Sequence, residues 1–376
     1  MNPGDDDIKY MRMALREASR GRGRTAPNPM VGCVLVQGGR VLARGWHRKA
    51  GLPHAEVDAL SHLPEHRAPG ATCYVTLEPC NHTRRTGPCT EALIAAGVTR
   101  VVAAMRDPHS IVDGRGIERL HAAGIRVDVG VLEQEARALN AGYISWVTRH
   151  RPRVTLKAAV TLDGRLAARG GDARWVTGEA ARLEGHRLRD AADAILVGAG
   201  TVRADDPRLT TRLPGGRGKD PLRVILDGRL SMPEGAAVVR PGTLVVAGAS
   251  APAAAERRLR ERGAEVLRLP DEDGRVVLVP LLEELGRREV MELLIEGGGR
   301  VHAGFLAAGL VDRMIVFIAP KLVGSGGVPF IDVTGLAGLA GPERMADAWQ
   351  LREVVVRRLG NDVMIVGMLG DAMRTG

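Results

Sequence analysis

The sequence predicts an α/β protein of two domains, residues 1–150 and 151–376. Three observations carry that expectation. At 376 residues the chain is too long for one ordinary domain and suits two. Apolar runs of strand character alternate with stretches of helical apolar spacing, which in the second half is the pattern of a largely parallel sheet covered on both faces. Hydrophobic residues make up 45% and aromatic residues only 3%, so there is enough to bury real cores, and those cores must be mostly aliphatic.

The first half opens on IKYMRMALREAS (8–19), a helix by its apolar spacing. VGCVLVQGGRVLARGWH (31–47) alternates apolar and polar residues on both sides of Gly38–Gly39, which predicts a hairpin. HAEVDALSHL (54–63) reads as a helix and TCYVTLEP (72–79) as a strand. TEALIAAG (90–97) is a helix with Gly97 as its C-terminal cap. VVAAMRD (101–107) and GIRVDVGVL (124–132) close the domain. The basic run around Pro152 is a plausible linker. In the second half, strands are expected at AILVGAG, LRVILD, TLVVAG, MELLIEGG and MIVFIAP. EAARLEGHRLRDAA and VHAGFLAAG are the expected helices, and GGRGKDP and ASAPAAAERR the surface connections. No internal repeat is present.

Charge and composition exclude several classes. The net charge is +9, nearly all of it arginine, with +5 in residues 1–150 and +4 in the rest. There is no basic tail and no aromatic interleaving for base stacking, so no nucleic-acid partner is expected. A phosphorylated small substrate suits the same balance. No apolar run reaches the length of a membrane span, and the acidic opening lacks signal-peptide character. Four cysteines in such a chain indicate a reducing, cytoplasmic setting. There, a close cysteine pair points to metal or catalysis before a disulfide.

His54, Cys80 and Cys89 have the donor types of a tetrahedral zinc site with one position left for water. Glu56 lies two residues after His54 at a helix start. A carboxylate there can take a proton from a metal-activated water and pass it to a leaving amine. Cys89 directly precedes a helix, whose N-terminal amides favour a thiolate. The pattern H-x-E…P-C is that of zinc deaminases, here with eight residues between the cysteines. A disulfide, or a structural zinc with a fourth ligand such as His82, fits the same residues but leaves Glu56 without a role. Cys33 and Cys73 sit in apolar strand patterns and read as packed thiols.

TAPNPMVGCVLV, GWHRKAGLPHAEVDAL and YVTLEPCNHTRRTGPC resemble the deaminase half of the bifunctional riboflavin-biosynthesis enzymes, the RibD family. The resemblance implies a cytidine-deaminase-like α/β/α fold and a pyrimidinone substrate carrying ribose 5-phosphate. It implies that Asn28 contacts the pyrimidine, that His47 lines the same pocket and that Arg85 meets the phosphate. Arg84 and Gly87 stand where the family usually has Gly and Pro.

In the second half, IEGGGRVHAGFL sets a glycine cluster between a strand and a helix, a place where backbone amides can approach a phosphate. The alternative is a plain tight turn. AILVGAGTVRADDPRLTTR follows a strand with two glycines and a polar Asp205-Asp206-Pro207 turn, flanked by Arg203 and Arg212. LKAAVTLDGRLA, RWVTGEAAR, LRDAADAILVGAGTVRADDPRLTTR, VILD and IEGGG resemble the reductase half of the same family, which has a dihydrofolate-reductase-like fold and uses NADPH. By that resemblance Ala159, Trp175, Thr201, Asp205, Gly298 and Gly299 contact NADPH. Lys157, Arg189, Leu209, Arg212 and Glu296 contact the substrate, the two arginines suiting its phosphate. Asp163 belongs to the opening turn of that site. Ala173 and Gly228 replace serines common in the family.

The expected function is therefore bifunctional. Zinc-dependent hydrolysis of 2,5-diamino-6-ribosylamino-4(3H)-pyrimidinone 5′-phosphate at C2 releases ammonia, with Glu56 moving the proton. NADPH-dependent reduction then converts the ribosyl group to ribityl. A homo-oligomer is expected. The rivals are a nucleoside or tRNA deaminase with an appended binding domain, and a non-catalytic zinc-stabilised protein.

Overall fold

The computed structural model describes residues 4–81, 87–110, 112–216, 218–334 and 342–369. The chain divides into two compact units, Met1–Arg151 and Pro152–Gly376.

The first unit runs α1 (Asp5–Ser19), β1 (Gly32–Gln37), β2 (Arg40–Trp46), α2 (Ala55–Leu60), β3 (Thr72–Val75), α3 (Cys89–Ala95) and β4 (Arg100–Ala103). It continues with α4 (Arg115–Ala122), β5 (Arg126–Val129), α5 (Glu133–Leu139) and α6 (Ala141–Arg149). Its five-stranded sheet has the order β2-β1-β3-β4-β5. The hairpin β1–β2 forms where the alternation predicted it. Gly38 and Gly39 both take positive φ, 55° and 77°, as a two-residue turn matched to strand twist requires. Strands β3, β4 and β5 are parallel, so the loops after β3 and β4 leave the same edge of the sheet. Helix α3 ends as predicted at Gly97, φ 79°, with the Val98 N–H bonded to the Leu93 carbonyl. The core is aliphatic, as the composition requires, and takes in the wholly buried Cys33 and Cys73. Their sulfurs lie 3.5 Å apart as free thiols.

The second unit begins with β6 (Arg153–Thr161), β7 (Arg165–Ala167), α7 (Glu179–Ala191), β8 (Ala194–Gly198) and α8 (Ala199–Asp205). There follow β9 (Leu222–Leu226), β10 (Thr243–Gly248), α9 (Ala253–Glu261), β11 (Glu265–Leu269), β12 (Asp271–Glu272) and β13 (Arg275–Val276). It closes with α10 (Leu278–Arg287), β14 (Glu292–Ile295), α11 (Gly299–Ala307), β15 (Arg313–Ala319), β16 (Val328–Pro329), β17 (Leu351–Leu359) and β18 (Asp362–Leu369). The main sheet has the order β11-β10-β9-β8-β14-β6-β15-β18-β17. From β11 to β15 every pairing is parallel. The central strands read as unbroken apolar runs because both faces are covered. Ile195, Val197, Ile225 and Val245 enter one core, while their neighbours Ala194, Leu196, Val224 and Leu244 enter the other.

Three features depart from the sequence expectations. The last two strands form an antiparallel hairpin on the parallel sheet, and β17 is exposed along most of its length. Its three consecutive valines, set between Arg352-Glu353 and Arg357-Arg358, have no alternation to mark a buried face. ASAPAAAERR is not a surface loop throughout, since α9 starts at Ala253 directly after Pro252. The alanines are good helix formers, and the proline stands where no intrahelical N–H is needed. GTVRADDP, expected as a loop, is largely helix α8, which ends at Asp206 in the left-handed conformation. Among the described residues no helix is long and apolar enough to cross a membrane.

Candidate functional site

In the first unit, two helix starts converge. His54 is the N-cap of α2, Glu56 is the second residue of that helix, and Cys89 is the first residue of α3. Cys80 leaves the sheet after β3. The ligand atoms of His54, Cys80 and Cys89 all lie within 4.8 Å of one another. His54 Nδ1 is 3.2 Å from Cys89 Sγ and 3.5 Å from Cys80 Sγ. Neighbouring ligands on a tetrahedral zinc stand roughly 3.6 Å apart, so the spacing of these donor atoms suits the ion.

The electrostatics agree with a metal centre. Hydrogen bonding from the Cys89 thiol, together with His54, holds Cys80 well below the usual thiol range, at about 4. The same contact with Cys80, and burial, pushes Cys89 up. The pair thus favours a thiolate at Cys80, and a divalent cation held there would favour it at Cys89 as well. Burial, reinforced by the charge of Cys80, pushes Glu56 up to about 7. Only 3% of Glu56 is exposed, and among the described residues the groups that favour its charged form are His54 and the Cys89 thiol.

A buried shell positions these groups, and the sequence reading missed its main member. Glu78, at the end of the β3 segment, accepts hydrogen bonds from four backbone N–H groups. They belong to Asp107 at 3.3 Å, Gly114 at 3.1 Å, Gly116 at 3.0 Å and Ile117 at 3.3 Å. Its carboxylate thereby clamps the loop bearing Cys80 to the start of α4. Only its place two residues before Cys80 marks it in the sequence. The Thr90 N–H bonds to the Cys80 carbonyl, and the Thr90 hydroxyl to Asn81 Oδ1 at 2.9 Å, which joins the two cysteine segments.

Asn28 and His47 come together beside the same centre. Asn28 Nδ2 is 3.0 Å from His47 Nε2, and His47 Nδ1 is 3.0 Å from the Pro53 carbonyl. A carbonyl can only accept, so Nδ1 carries the proton, Nε2 accepts, and Asn28 must present its NH₂ group to the ring. The His47 ring packs edge-on against His54, with centroids 5.4 Å apart. Burial pushes the His47 pKa down, keeping the ring neutral. Arg85, with Arg84 and His82, lies outside the described residues.

The second unit gathers Lys157, Arg189 and Glu296. Glu296 follows β14 and is bonded by Arg189 through Nε at 2.9 Å and Nη2 at 2.7 Å. Lys157 Nζ is 3.9 Å away on neighbouring β6. Burial works to raise Glu296, but Arg189 and Lys157 outweigh it and hold the carboxyl at about 2. Arg189 also donates to the Thr210 carbonyl at 3.0 Å. The bidentate edge expected to hold a phosphate is therefore taken by Glu296. Arg212 is exposed, which leaves it accessible to an anion.

The glycine cluster lies at the start of α11. The Gly298 N–H bonds to Thr201 Oγ1 at 3.1 Å, which brings the β14–α11 and β8–α8 turns together. A Cβ on Gly299 would fall 2.6 Å from the Pro329 carbonyl. Gly299 is thus required by close packing of the turn, while the turn still sets backbone amides at a helix start, where an anion is favoured. Ala159 is half-buried on β6, and Asp205 is the half-buried last residue of α8. Trp175 is 61% exposed beneath Arg182, whose guanidinium sits 4.7 Å from the ring. Leu209 packs its side chain into the apolar core, so only its backbone is free for a ligand. Asp163 accepts from Thr161 Oγ1 and the Gly324 N–H, both at 2.6 Å, which makes it a turn-forming residue.

Residues 5–105 match the cytidine and deoxycytidylate deaminase zinc-binding region, and residues 152–365 match the RibD C-terminal domain. The riboflavin biosynthesis protein RibD of Aquifex aeolicus is 43% identical, covering 96% of this chain and 97% of its own length. The Escherichia coli RibD is 41% identical, over 96% of this chain and 98% of its own. Among solved structures, Acinetobacter baumannii RibD superposes with a TM-score of 0.86 at 36% identity, covering 97% of this chain and 99% of that one. A diaminohydroxyphosphoribosylaminopyrimidine deaminase/5-amino-6-(5-phosphoribosylamino)uracil reductase from Thermotoga maritima superposes at 0.80, with 34% identity over the same shares.

Proposed function

Since the chain belongs to the RibD family of bifunctional riboflavin-biosynthesis enzymes, we propose that its two units act in turn on one phosphorylated pyrimidine. The chain is a zinc-dependent deaminase and an NADPH-dependent reductase. The proposed first substrate is 2,5-diamino-6-ribosylamino-4(3H)-pyrimidinone 5′-phosphate. The proposed final product is 5-amino-6-ribitylaminouracil 5′-phosphate.

The observation that carries the first half is a buried Glu56 beside the His54–Cys80–Cys89 set. A zinc ion held by those three supplies an activated water as nucleophile. Glu56, poised near neutrality by burial, takes a proton at its carboxylate and returns it to the departing amine. Asn28 spends its NH₂ on His47, which leaves Oδ1 to accept a hydrogen bond from the pyrimidinone ring. In the second unit NADPH supplies the hydride. Lys157, whose pKa burial pushes down, offers donors to the hydroxyls of the ribosyl chain, and Glu296 orients it. Arg212, exposed at the rim, takes the phosphate, while Arg189 holds Glu296.

Assembly and location complete the proposal. Val354, Val355 and Val356 lie exposed on edge strand β17, a surface that a second copy would cover, and this supports a homo-oligomer. Four free thiols suit the cytoplasm. The reading of a nucleoside or tRNA deaminase with an appended binding domain is not favoured, because both family matches occur on one chain along its whole length. The test is incubation of the pure protein with the diaminopyrimidinone, with and without NADPH, and identification of the products. Cytidine and tRNA are the control substrates. Ammonia release without NADPH, and the ribityl product only with it, is the expected result. Release of ammonia from cytidine alone would overturn it.

A further inference from the structure

One titratable side chain beside the Lys157–Glu296 cluster has no part in the chemistry above. His186 lies half-buried on α7, three residues before Arg189 and therefore on the same side of the helix. The preceding residue, Gly185, is buried and seats α7 on β6, since a Cβ there would stand 4.0 Å from Lys157 Nζ.

The histidine holds the loop that carries Arg212. His186 Nδ1 accepts a hydrogen bond from the Arg212 backbone N–H at 3.3 Å. Arg189 donates to the Thr210 carbonyl at 3.0 Å, and the Thr211 N–H bonds to Asp220 Oδ1 at 2.8 Å. Consecutive residues of the loop are thus pinned by three different side chains, two of them from α7. An acceptor at Nδ1 leaves the proton of the neutral ring on Nε2. Among the described residues that Nε2–H has no acceptor.

The charges around the ring are mostly positive. Lys157 on β6, Arg189 on α7 and Arg212 on the loop face it, against the carboxylate of Glu296 after β14. Two other carboxylates nearby are engaged by backbone. Asp190, one turn further along α7, accepts the Lys219 N–H at 2.7 Å, and Asp220 accepts the Thr211 N–H. Burial, followed by the field of Arg189 and Arg212, pushes the His186 pKa down, so the ring is neutral near pH 7 in the free protein. A phosphate dianion at Arg212 opposes that field and offers Nε2 the acceptor it lacks. Both effects favour the imidazolium. An exposed guanidinium, a ring N–H without an acceptor and surplus positive charge together suit a phosphate monoester.

We propose that His186 donates from Nε2 to the phosphate of the reductase substrate beside Arg212, and takes up a proton from solvent as the phosphate binds. The proposal rests on the reading of Arg212 as the phosphate residue. Its contribution is greatest at low pH and is lost as pH rises through the value His186 has in the complex. The test measures KM and kcat of the full-length protein on already deaminated substrate with NADPH in excess. It compares the phosphorylated and dephosphorylated forms at about pH 6 and about pH 8.5, on either side of the ordinary histidine value. His186→Asn keeps an acceptor for the Arg212 N–H and loses the ring N–H. It should raise KM for the phosphorylated form by roughly 100-fold at the lower pH, where an ion pair is lost. The rise should shrink to roughly tenfold at the higher pH, where the lost donor is neutral. His186→Gln, with a neutral donor that does not titrate, should recover most of the loss at the higher pH and little at the lower. The loss should fall on KM rather than kcat, and the dephosphorylated form should show none of it. Titration of the phosphate itself affects every protein alike and cancels from the ratios. An equal rise for both forms of the substrate, or a rise that does not change with pH, overturns the assignment. Arg212→Ala tells which reading has failed. If it discriminates the two forms and His186→Asn does not, only the role of His186 falls. If neither discriminates them, the phosphate is bound elsewhere and the reading of Arg212 falls as well.

Discussion

Arg189 and Glu296 are joined by two parallel hydrogen bonds, of 2.9 and 2.7 Å, from helix α7 to the residue that follows β14. Both side chains are mostly buried, at 17% and 9% exposure, and Lys157 also lies in salt-bridge range of the carboxylate. A planar fork on a carboxylate in such a place fixes the carboxylate's orientation more than it adds stability.

Removing one partner of this pair should therefore be costly. Arg189→Ala is expected to destabilise the second unit by roughly 3 kcal/mol, because it strands a buried charge. Thermal melting checks this, and a melting temperature equal to that of the unmutated chain would contradict the pairing. The pair also has a pH signature. The Glu296 pKa is depressed to about 2 in the fold, so its contribution is complete above the unfolded carboxylate value of about 4.5 and fades as pH falls toward 2. The acid limb of the melting curve should flatten in Glu296→Gln.

Glu56→Gln should keep the zinc and lose deamination by about 10²- to 10⁴-fold, because the amide has the shape of the acid but cannot carry the proton. Reduction of already deaminated substrate should be unchanged. Ammonia release at the ordinary rate would exclude the proton-carrying role.

Cys80→Ser should bind far less zinc than the unmutated protein, measured by elemental analysis of the purified chains, since a hydroxyl is a poor replacement for a thiolate on zinc. Full zinc content would remove Cys80 from the ligand set.

Glu78→Ala touches no ligand, yet it unclamps four backbone N–H groups at once. The expected loss is about 2–3 kcal/mol of stability in the first unit, given the usual worth of hydrogen bonds to a charged group. Zinc affinity should fall with it, because the loop carrying Cys80 loses its anchor. Glu78→Gln should recover part of both. Calorimetry with zinc titration separates the two effects, and unchanged affinity in the alanine variant would reduce Glu78 to a purely structural role.

The sequence by itself determined what depends on local chemistry. The hairpin turn at Gly38–Gly39 and the cap at Gly97 were legible because each needs a backbone conformation that few residues take. The two-sided burial of β8, β9 and β10 was legible as unbroken apolar runs. The candidate metal set, three residues that the fold brings together, was legible because few residue types bind zinc and a carboxylate two residues from the histidine has little other use. What only the tertiary structure decided are relations between distant residues. Nothing in the run of letters pairs Arg189 with Glu296 across 107 positions, or aims four amides at Glu78. Nor does a local pattern set the Gly274 carbonyl over Gly228 or lay the exposed strand β17 on the sheet edge. Such pairings carry no period, since their energy comes from charge and close contact between segments that only the packed fold brings together.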